Sequence, residues 1–358
     1  SLWVFIGFLI YTHDHRNKYN NIYIIILMKL LEALNGNKNT KPVWLMRQAG
    51  RHLPEYRKLR EESRDLMGMF LNDEVISQVT LHPVDRYGVD AAILFSDILM
   101  IPYSLGSDLS FQEGGIGPVV KFVKLDRNLK QDLNLLKPVF SGITKIKKET
   151  ENKIPLIGFI GGVWTTIYFS IFNKDQRNNI NQDLIVSKEH EIQNLIEAFT
   201  SASINYAIEQ INLGVNAFQI FESAAGVLTD EQIETWCLKP TQQILSAINN
   251  KVPVISFPRG ASLNSCIKFS NLEKLSAISL DEKFSLDNIG RLNQNIAFQG
   301  NLDPKILLKD KETTLSKTED ILLAFRNYPH IFNLGHGVLP TTPVENVEAM
   351  INKIRNFE

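Results

Sequence analysis

The sequence predicts an α/β fold, a single (β/α)8 barrel of the TIM type, on three observations. Short β-branched or aromatic runs alternate with longer segments of helical period, the pattern of repeated β-α units. Eight such runs fall at residues 42–46, 91–96, 154–160, 216–221, 252–257, 276–280, 295–299 and 330–334. The runs lack strict polar alternation, so both faces of each strand are expected to be buried beneath helices. No G-x-G-x-x-G or G-x-x-x-x-G-K-[ST] follows a strand, which removes the usual nucleotide cradles of an open doubly wound sheet, the competing architecture.

Taken in order, residues 1–27 come first. SLWVFIGFLI and IYIIIL are apolar runs separated by THDHRNKYNN. Neither run is long enough to span a bilayer. The segment lacks the basic start and small-residue cleavage site of a signal peptide. It is read as a disordered extension, either upstream sequence preceding a true start at Met28 or a targeting segment, with the barrel occupying residues 28–358.

Beyond it, the run at 42–46 is the least regular of the eight strands. Ile192, Leu195, Ile196, Phe199, Ala202 and Tyr206 recur by threes and fours, predicting a helix with one apolar face. Gly214 ends that segment. Val344, Val347, Met350, Ile351 and Ile354 repeat the pattern at the C-terminus, leaving Glu345, Glu348 and Lys353 outside.

Composition narrows the function. Hydrophobic residues at 44% and charged residues at 22% are an ordinary globular mixture, sufficient for a large core. A net charge of −1 argues against a nucleic-acid binder, which carries a broad basic excess. Cys237 and Cys266 lack C-x-x-C spacing, and so few cysteines fit a reducing compartment. The one H-x-H, His13 and His15, falls in the extension and is set aside, and no H-E-x-x-H offers a metal site.

In such a barrel, chemistry sits where strands end and the following loops begin. Those ends carry Ser96-Asp97, Gly161-Gly162, Glu222-Ser223, Arg259-Gly260, Asp281, Asn301 to Asp303 and Gly335-His336. Arg47 and Arg51 are four apart in MRQAGR. In a helical turn their guanidinium groups would share one face, suited to two-pronged binding of carboxylates. A solvated basic face continuing through Arg57, Lys58 and Arg60 is the competing reading. Asp97 follows the apolar run AAILFS and precedes ILMIP. An enclosed carboxylate there requires a cap, a cation or a cationic substrate group. His336 lies between glycines in NLGHG, and Ser223 in FES lacks the G-x-S-x-G context of a nucleophile, so a binding hydroxyl is its better role.

PVWLMRQAGRHLPEYR at 42–57, ILFSDIL at 93–99, GFIGGVWT at 158–165, FQIFES at 218–223, FQGNLDP at 298–304 and NLGHG at 333–337 together resemble the uroporphyrinogen decarboxylase family, in that family's order and over nearly all the chain from Met28. The resemblance implies a homodimeric, cytoplasmic barrel without membrane or nucleic-acid partner, placed in an organelle if residues 1–27 are a targeting segment. It implies conversion of the four acetate arms of uroporphyrinogen III to methyls, giving coproporphyrinogen III in haem synthesis, with no metal or organic cofactor. It also implies that Arg47, Gln48, Ala49, Gly50 and Arg51 line the substrate, that Asp97 faces the pyrrole nitrogens and is the catalytic group, and that Ser223 and His336 bind substrate. One match is imperfect. The family places Pro before Trp-Thr and Tyr five residues after that Trp, whereas Val163 precedes Trp164, Tyr168 lies four residues on and Phe169 takes the expected place. Tyr168 is taken as the substrate-binding tyrosine.

Two other readings remain. A methyltransferase on a related barrel would need zinc-binding His or Cys near strand ends. A non-enzymatic barrel would keep an anion pocket without turnover.

Overall fold

The computed structural model describes residues 29–63, 65–112 and 117–357, so the expectation for residues 1–27 lies outside the described residues. The strands are β1 Ala92–Ile93, β2 Asp108–Gln112, β3 Gly117–Lys121, β4 Leu156–Gly161, β5 Ala217–Glu222, β6 Val254–Pro258, β7 Ala277–Ser279, β8 Ala297–Gln299 and β9 His330–Ile331. All but β2 and β3 form one parallel sheet in the order β1-β4-β5-β6-β7-β8-β9. Every residue of β4 and β6 is buried, as expected of strands covered on both faces.

The run at 42–46 closes the ring without becoming a regular strand. It makes one parallel bridge, Val43 to Phe332. Phe332 N–H donates to Pro42 O at 2.8 Å on one side, and Asp90 N–H donates to Val43 O at 2.8 Å on the other. Side chains satisfy much of the remaining backbone: Asp90 Oδ2 accepts from Val43 N–H at 2.8 Å, Gln48 Oε1 from Leu45 N–H at 3.0 Å and Asn333 Oδ1 from Met46 N–H at 3.0 Å. A backbone buried inside a barrel must find such partners. This stave is therefore held by carboxylate and amide side chains as well as by backbone bonds.

The longer helices are α1 Pro54–Glu62, α2 Asp73–Tyr87, α3 Lys137–Glu149, α4 Val163–Ile171, α5 Glu189–Asn212, α6 Lys239–Ile248, α7 Leu263–Ser270, α8 Lys311–Ala324 and α9 Val344–Arg355. The stripe expected on α5 is the buried one, with Ile192, Leu195, Phe199, Ala202 and Tyr206 all covered. Each such large side chain contributes about 1.5–3 kcal/mol on burial. In α9, Val347, Met350, Ile351 and Ile354 are buried, while Glu345 and Glu348 are exposed. No helix among the described residues is long and apolar enough to cross a membrane.

Two features were not expected. An antiparallel hairpin, β2 against β3, follows β1. Inside the barrel lies a polar layer, with Trp44 Nε1 donating to Gln299 Oε1 at 3.0 Å and Gln299 Nε2 donating to Ser279 Oγ at 3.0 Å and Gln219 Oε1 at 3.3 Å. These bonds satisfy groups that would be costly to bury alone.

Candidate active site

A cavity of about 480 Å³ opens at the carboxyl ends of the parallel strands, where barrel chemistry resides. Its wall includes Phe95, Phe159, Phe221 and Phe257, from β1's extension, β4, β5 and β6. Against this apolar wall stand Arg47, Arg51, Asp97, Ser223 and His336, with the backbone turn of Ala49 and Gly50 beside them. Seven of the nine residues named from the sequence thus meet in one place. Gln48 and Tyr168 do not line it.

Arg47 and Arg51 reach the cavity by a route other than a helical face. The helix α1 begins only at Pro54. Arg47 has φ 58, in the left-handed region, and Gln48 N–H and Leu53 N–H close successive turns on Leu45 O and Gly50 O. The arginines therefore project from a non-helical turn. Gln48 explains that turn: its side chain is buried, and besides holding Leu45 it donates through Nε2 to Ala91 O at 3.1 Å. Both ends of the amide are committed to backbone, so its position is that of a clamp between the stave at 42–46 and the chain entering β1.

Asp97 sits just beyond the β1 extension. Leu99 N–H donates to its Oδ1 at 2.8 Å, fixing the carboxylate as a turn cap. Burial pushes its pKa up to about 6, opposed by the Leu99 hydrogen bond and the charge of Arg47. At neutral pH it is an anion held among hydrocarbon, which favours any positive charge that arrives beside it. Burial lowers the Arg47 pKa, Asp97 opposes that shift, and Arg259 and Arg51 add to it. The cavity thus sets Arg47 near one carboxylate, with Arg51 also on its wall.

His336 follows β9 and is driven down to about 3 by burial, then by Arg47 and Arg259. It is a neutral imidazole, able to donate from one nitrogen and accept at the other. Gly337 has a steric task, because a Cβ there would run into the aliphatic part of the Arg47 side chain. The glycine lets Arg47 lie across the NLGHG loop.

Phe169 lines the cavity. Tyr168 turns away from it, packs against Trp164 at 5.6 Å and Phe172 at 5.6 Å between ring centres, and directs its hydroxyl to Arg177 O at 3.5 Å. Successive residues on α4 are about 100° apart, so both cannot face the substrate side.

Sequence reasoning missed several neighbours. Phe111, Gly117 and Pro118 of the β2–β3 hairpin form part of the wall, and Arg177 Nη2 ties that hairpin down through Pro118 O at 3.1 Å. Glu222, buried completely beneath Ser223, accepts from Thr165 and has its pKa raised to about 7 by burial, against the lowering effect of those hydrogen bonds. Cys237 and Cys266 are buried free thiols. Among the described residues no three His, Cys, Asp or Glu side chains gather as a metal site.

Residues 28–357 match the family model described as uroporphyrinogen decarboxylase (URO-D). A uroporphyrinogen decarboxylase of Chelativorans sp. (strain BNC1) is 40% identical over 339 residues, covering 91% of this chain and 98% of that protein. Its counterpart from Wolbachia pipientis wMel is 37% identical, covering 88% and 94% respectively. Among solved structures, a methyltransferase from Methanosarcina mazei superposes with TM-score 0.74 at 16% identity, covering 93% of this chain and 98% of that one. That likeness concerns the barrel alone. The chain belongs to the uroporphyrinogen decarboxylase family.

Proposed function

We propose that this cavity removes carbon dioxide from the four acetate arms of uroporphyrinogen III, giving coproporphyrinogen III in porphyrin and haem biosynthesis. The observation that carries the reading is Asp97: one carboxylate enclosed by apolar side chains, with Arg47 near it. A polycarboxylate with a central ring of N–H donors requires that pairing of a lone anion with surrounding cations.

The chemistry needs an electron sink. Protonation of a pyrrole ring carbon makes the ring a cation. When the bond from the arm's methylene to its carboxylate breaks, carbon dioxide leaves and the electron pair flows into that cation. A second proton then reaches the methylene, and the ring releases the first, for a net gain of one proton per carbon dioxide lost. The substrate supplies its own sink, so the reading calls for no metal or organic cofactor.

The protein's part is placement of charge. Asp97 accepts hydrogen bonds from pyrrole N–H groups and stabilises the ring cation as it forms. Two opposite charges about 4 Å apart interact by roughly 4 kcal/mol at an effective dielectric of about 20, an upper bound because the ground-state N–H groups also bind the carboxylate. Arg47 and Arg51 hold carboxylate arms, and Ser223 and His336 supply neutral hydrogen bonds. Ala49 and Gly50 keep the turn between the arginines small, and Phe169 takes the wall position that the sequence reading gave to Tyr168. Gln48 acts by fixing that turn.

The same reading has the protein working as a cytoplasmic homodimer. Anaerobic incubation of the purified chain with uroporphyrinogen, following the number of carboxyl groups in the product, tests it. Stepwise loss from eight to four supports the proposal, and an unchanged substrate ends it.

A further inference from the structure

Arg259 stands at the carboxyl end of β6, which lies halfway round the ring from the stave that carries Arg47. Its backbone is pinned on two sides. Arg259 N–H donates to Glu222 O at 3.2 Å, and Gly226 N–H donates to Arg259 O at 3.0 Å. The next residue, Gly260, donates its N–H to Asp281 Oδ2 at 2.5 Å. Gly226 and Gly260 pack backbone to backbone, and a Cβ on either would lie 2.9 Å from the other's Cα. The mount is rigid and shared with the loop that presents Ser223.

The side chain is fixed far less completely. Among the described residues its one ion pair is with Glu282, Nη2 to Oε1 at 3.7 Å, beyond hydrogen-bond reach. Its Nε is buried with no hydrogen-bond partner, and so is Glu282 Oε2. A guanidinium in contact with a carboxylate ordinarily forms a two-pronged pair. Here both partners keep an unused polar atom. Arg259 does not itself line the cavity, but it follows Phe257 of β6, which does, and its backbone N–H donates to Glu222 O, the residue before the cavity-lining Ser223. Its charge lowers the pKa of His336 and of Arg47. A buried unpaired donor on a cation costs free energy unless something completes it.

We propose that Arg259 is a third carboxylate-binding arginine of this site, which leaves its loose contact with Glu282 to form a two-pronged pair with a carboxylate arm of the substrate on the β5–β6 side of the cavity. The assignment rests on the decarboxylase reading of the cavity and deepens it. With Arg47 and Arg51 on one side of the barrel and Arg259 on the other, a ring-shaped polyanion centred on Asp97 is gripped from two directions. Glu282 serves as the resting partner that the substrate displaces.

The test is steady-state kinetics with uroporphyrinogen on the full chain and on Arg259→Gln, Arg259→Lys and Glu282→Gln, together with their melting temperatures. Arg259→Gln is expected to raise KM about tenfold with kcat within about twofold of the parent, the pattern of lost uniform binding. Arg259→Lys should restore only part of that loss, because an ammonium cannot make the two-pronged pair. Glu282→Gln, which removes the competing carboxylate, should lower KM. Unchanged KM in Arg259→Gln overturns the proposal. So does a fall in kcat and melting temperature at constant KM, which would make Arg259 a loop anchor. If the unaltered chain does not decarboxylate uroporphyrinogen at all, the broader reading has failed instead, and direct binding of uroporphyrinogen to the parent and to Arg259→Gln then decides the arginine's role separately.

Discussion

Thr165 donates both its backbone N–H, at 2.7 Å, and its hydroxyl, at 2.5 Å, to one oxygen of Glu222, joining the start of α4 to the end of β5 beneath the cavity floor. The other carboxyl oxygen is buried and unpartnered. Gly162 makes room for this group, since a Cβ there would collide with the carboxyl.

The first prediction follows from that burial. The Glu222 pKa is raised from 4.5 to about 7, chiefly by desolvation. A carboxyl raised in the folded state binds more protons there than in the unfolded chain, so its contribution to stability falls as pH rises through the window from 4.5 to about 7. Glu222→Gln keeps an acceptor for Thr165 and removes the titration. Its melting temperature should therefore decline less than the parent's between pH 5 and pH 8. Parallel curves for the two proteins would contradict this account.

Asp97 gives the second. Its carboxylate is the working form, and its pKa is pushed up to about 6. The free enzyme's kcat/KM should rise as pH rises through about 6 and level off above it. Asp97→Asn should keep the melting temperature near the parent's and lose kcat by about a hundredfold or more. Near-normal turnover in that variant would remove Asp97 from the chemistry.

Arg51 gives the third. It lines the cavity, and among the described residues its guanidinium makes no hydrogen bond or ion pair that holds the fold, whereas its carbonyl accepts from Arg57 Nη1 at 3.0 Å. Arg51→Ala should raise KM about tenfold at low salt, the loss of one charge-assisted contact. The gap from the parent should narrow as salt screens the remaining attraction. A KM unchanged at every ionic strength would place Arg51 among ordinary surface charges.

What the sequence disclosed and what it hid divide along physical lines. Parallel strands buried on both faces leave near-continuous apolar runs, which is why β4, β5 and β6 were readable within a residue or two. The stave at 42–46 was blurred because Asp90, Gln48 and Asn333 do work that a backbone ladder does elsewhere. The hairpin was invisible because DLSFQ and GPVVK contain no sustained apolar run, and its packing, as in Phe111 on Phe70 at 5.5 Å, is long-range. Arg47 and Arg51 meet at the cavity wall, but their backbone differs from the expected helical turn, since a left-handed φ at Arg47 is a tertiary outcome that four-residue spacing cannot reveal. Asp97, enclosed by AAILFS and ILMIP, was legible because burial of a carboxylate is written in its immediate neighbours.

The fourth prediction concerns α4, where the family's tyrosine position is taken by Phe169. Its ring lines the cavity, with the Arg177 guanidinium 4.8 Å from the ring centre. Among the described residues the Tyr168 hydroxyl meets only the Arg177 carbonyl at 3.5 Å, outside good hydrogen-bond length. Tyr168→Phe removes that weak contact and should leave kcat and KM within about twofold of the parent, at a stability cost below about 1 kcal/mol. Phe169→Tyr adds a hydroxyl facing the cavity, where a substrate carboxylate or pyrrole can accept or donate, and should raise kcat/KM. The pair of variants separates two accounts of the shifted register. A large loss in Tyr168→Phe with no gain in Phe169→Tyr would mean that α4 rotates when substrate binds, bringing Tyr168 into the wall; the opposite pattern means that the cavity functions with a phenyl ring at this position and has given up one hydrogen bond.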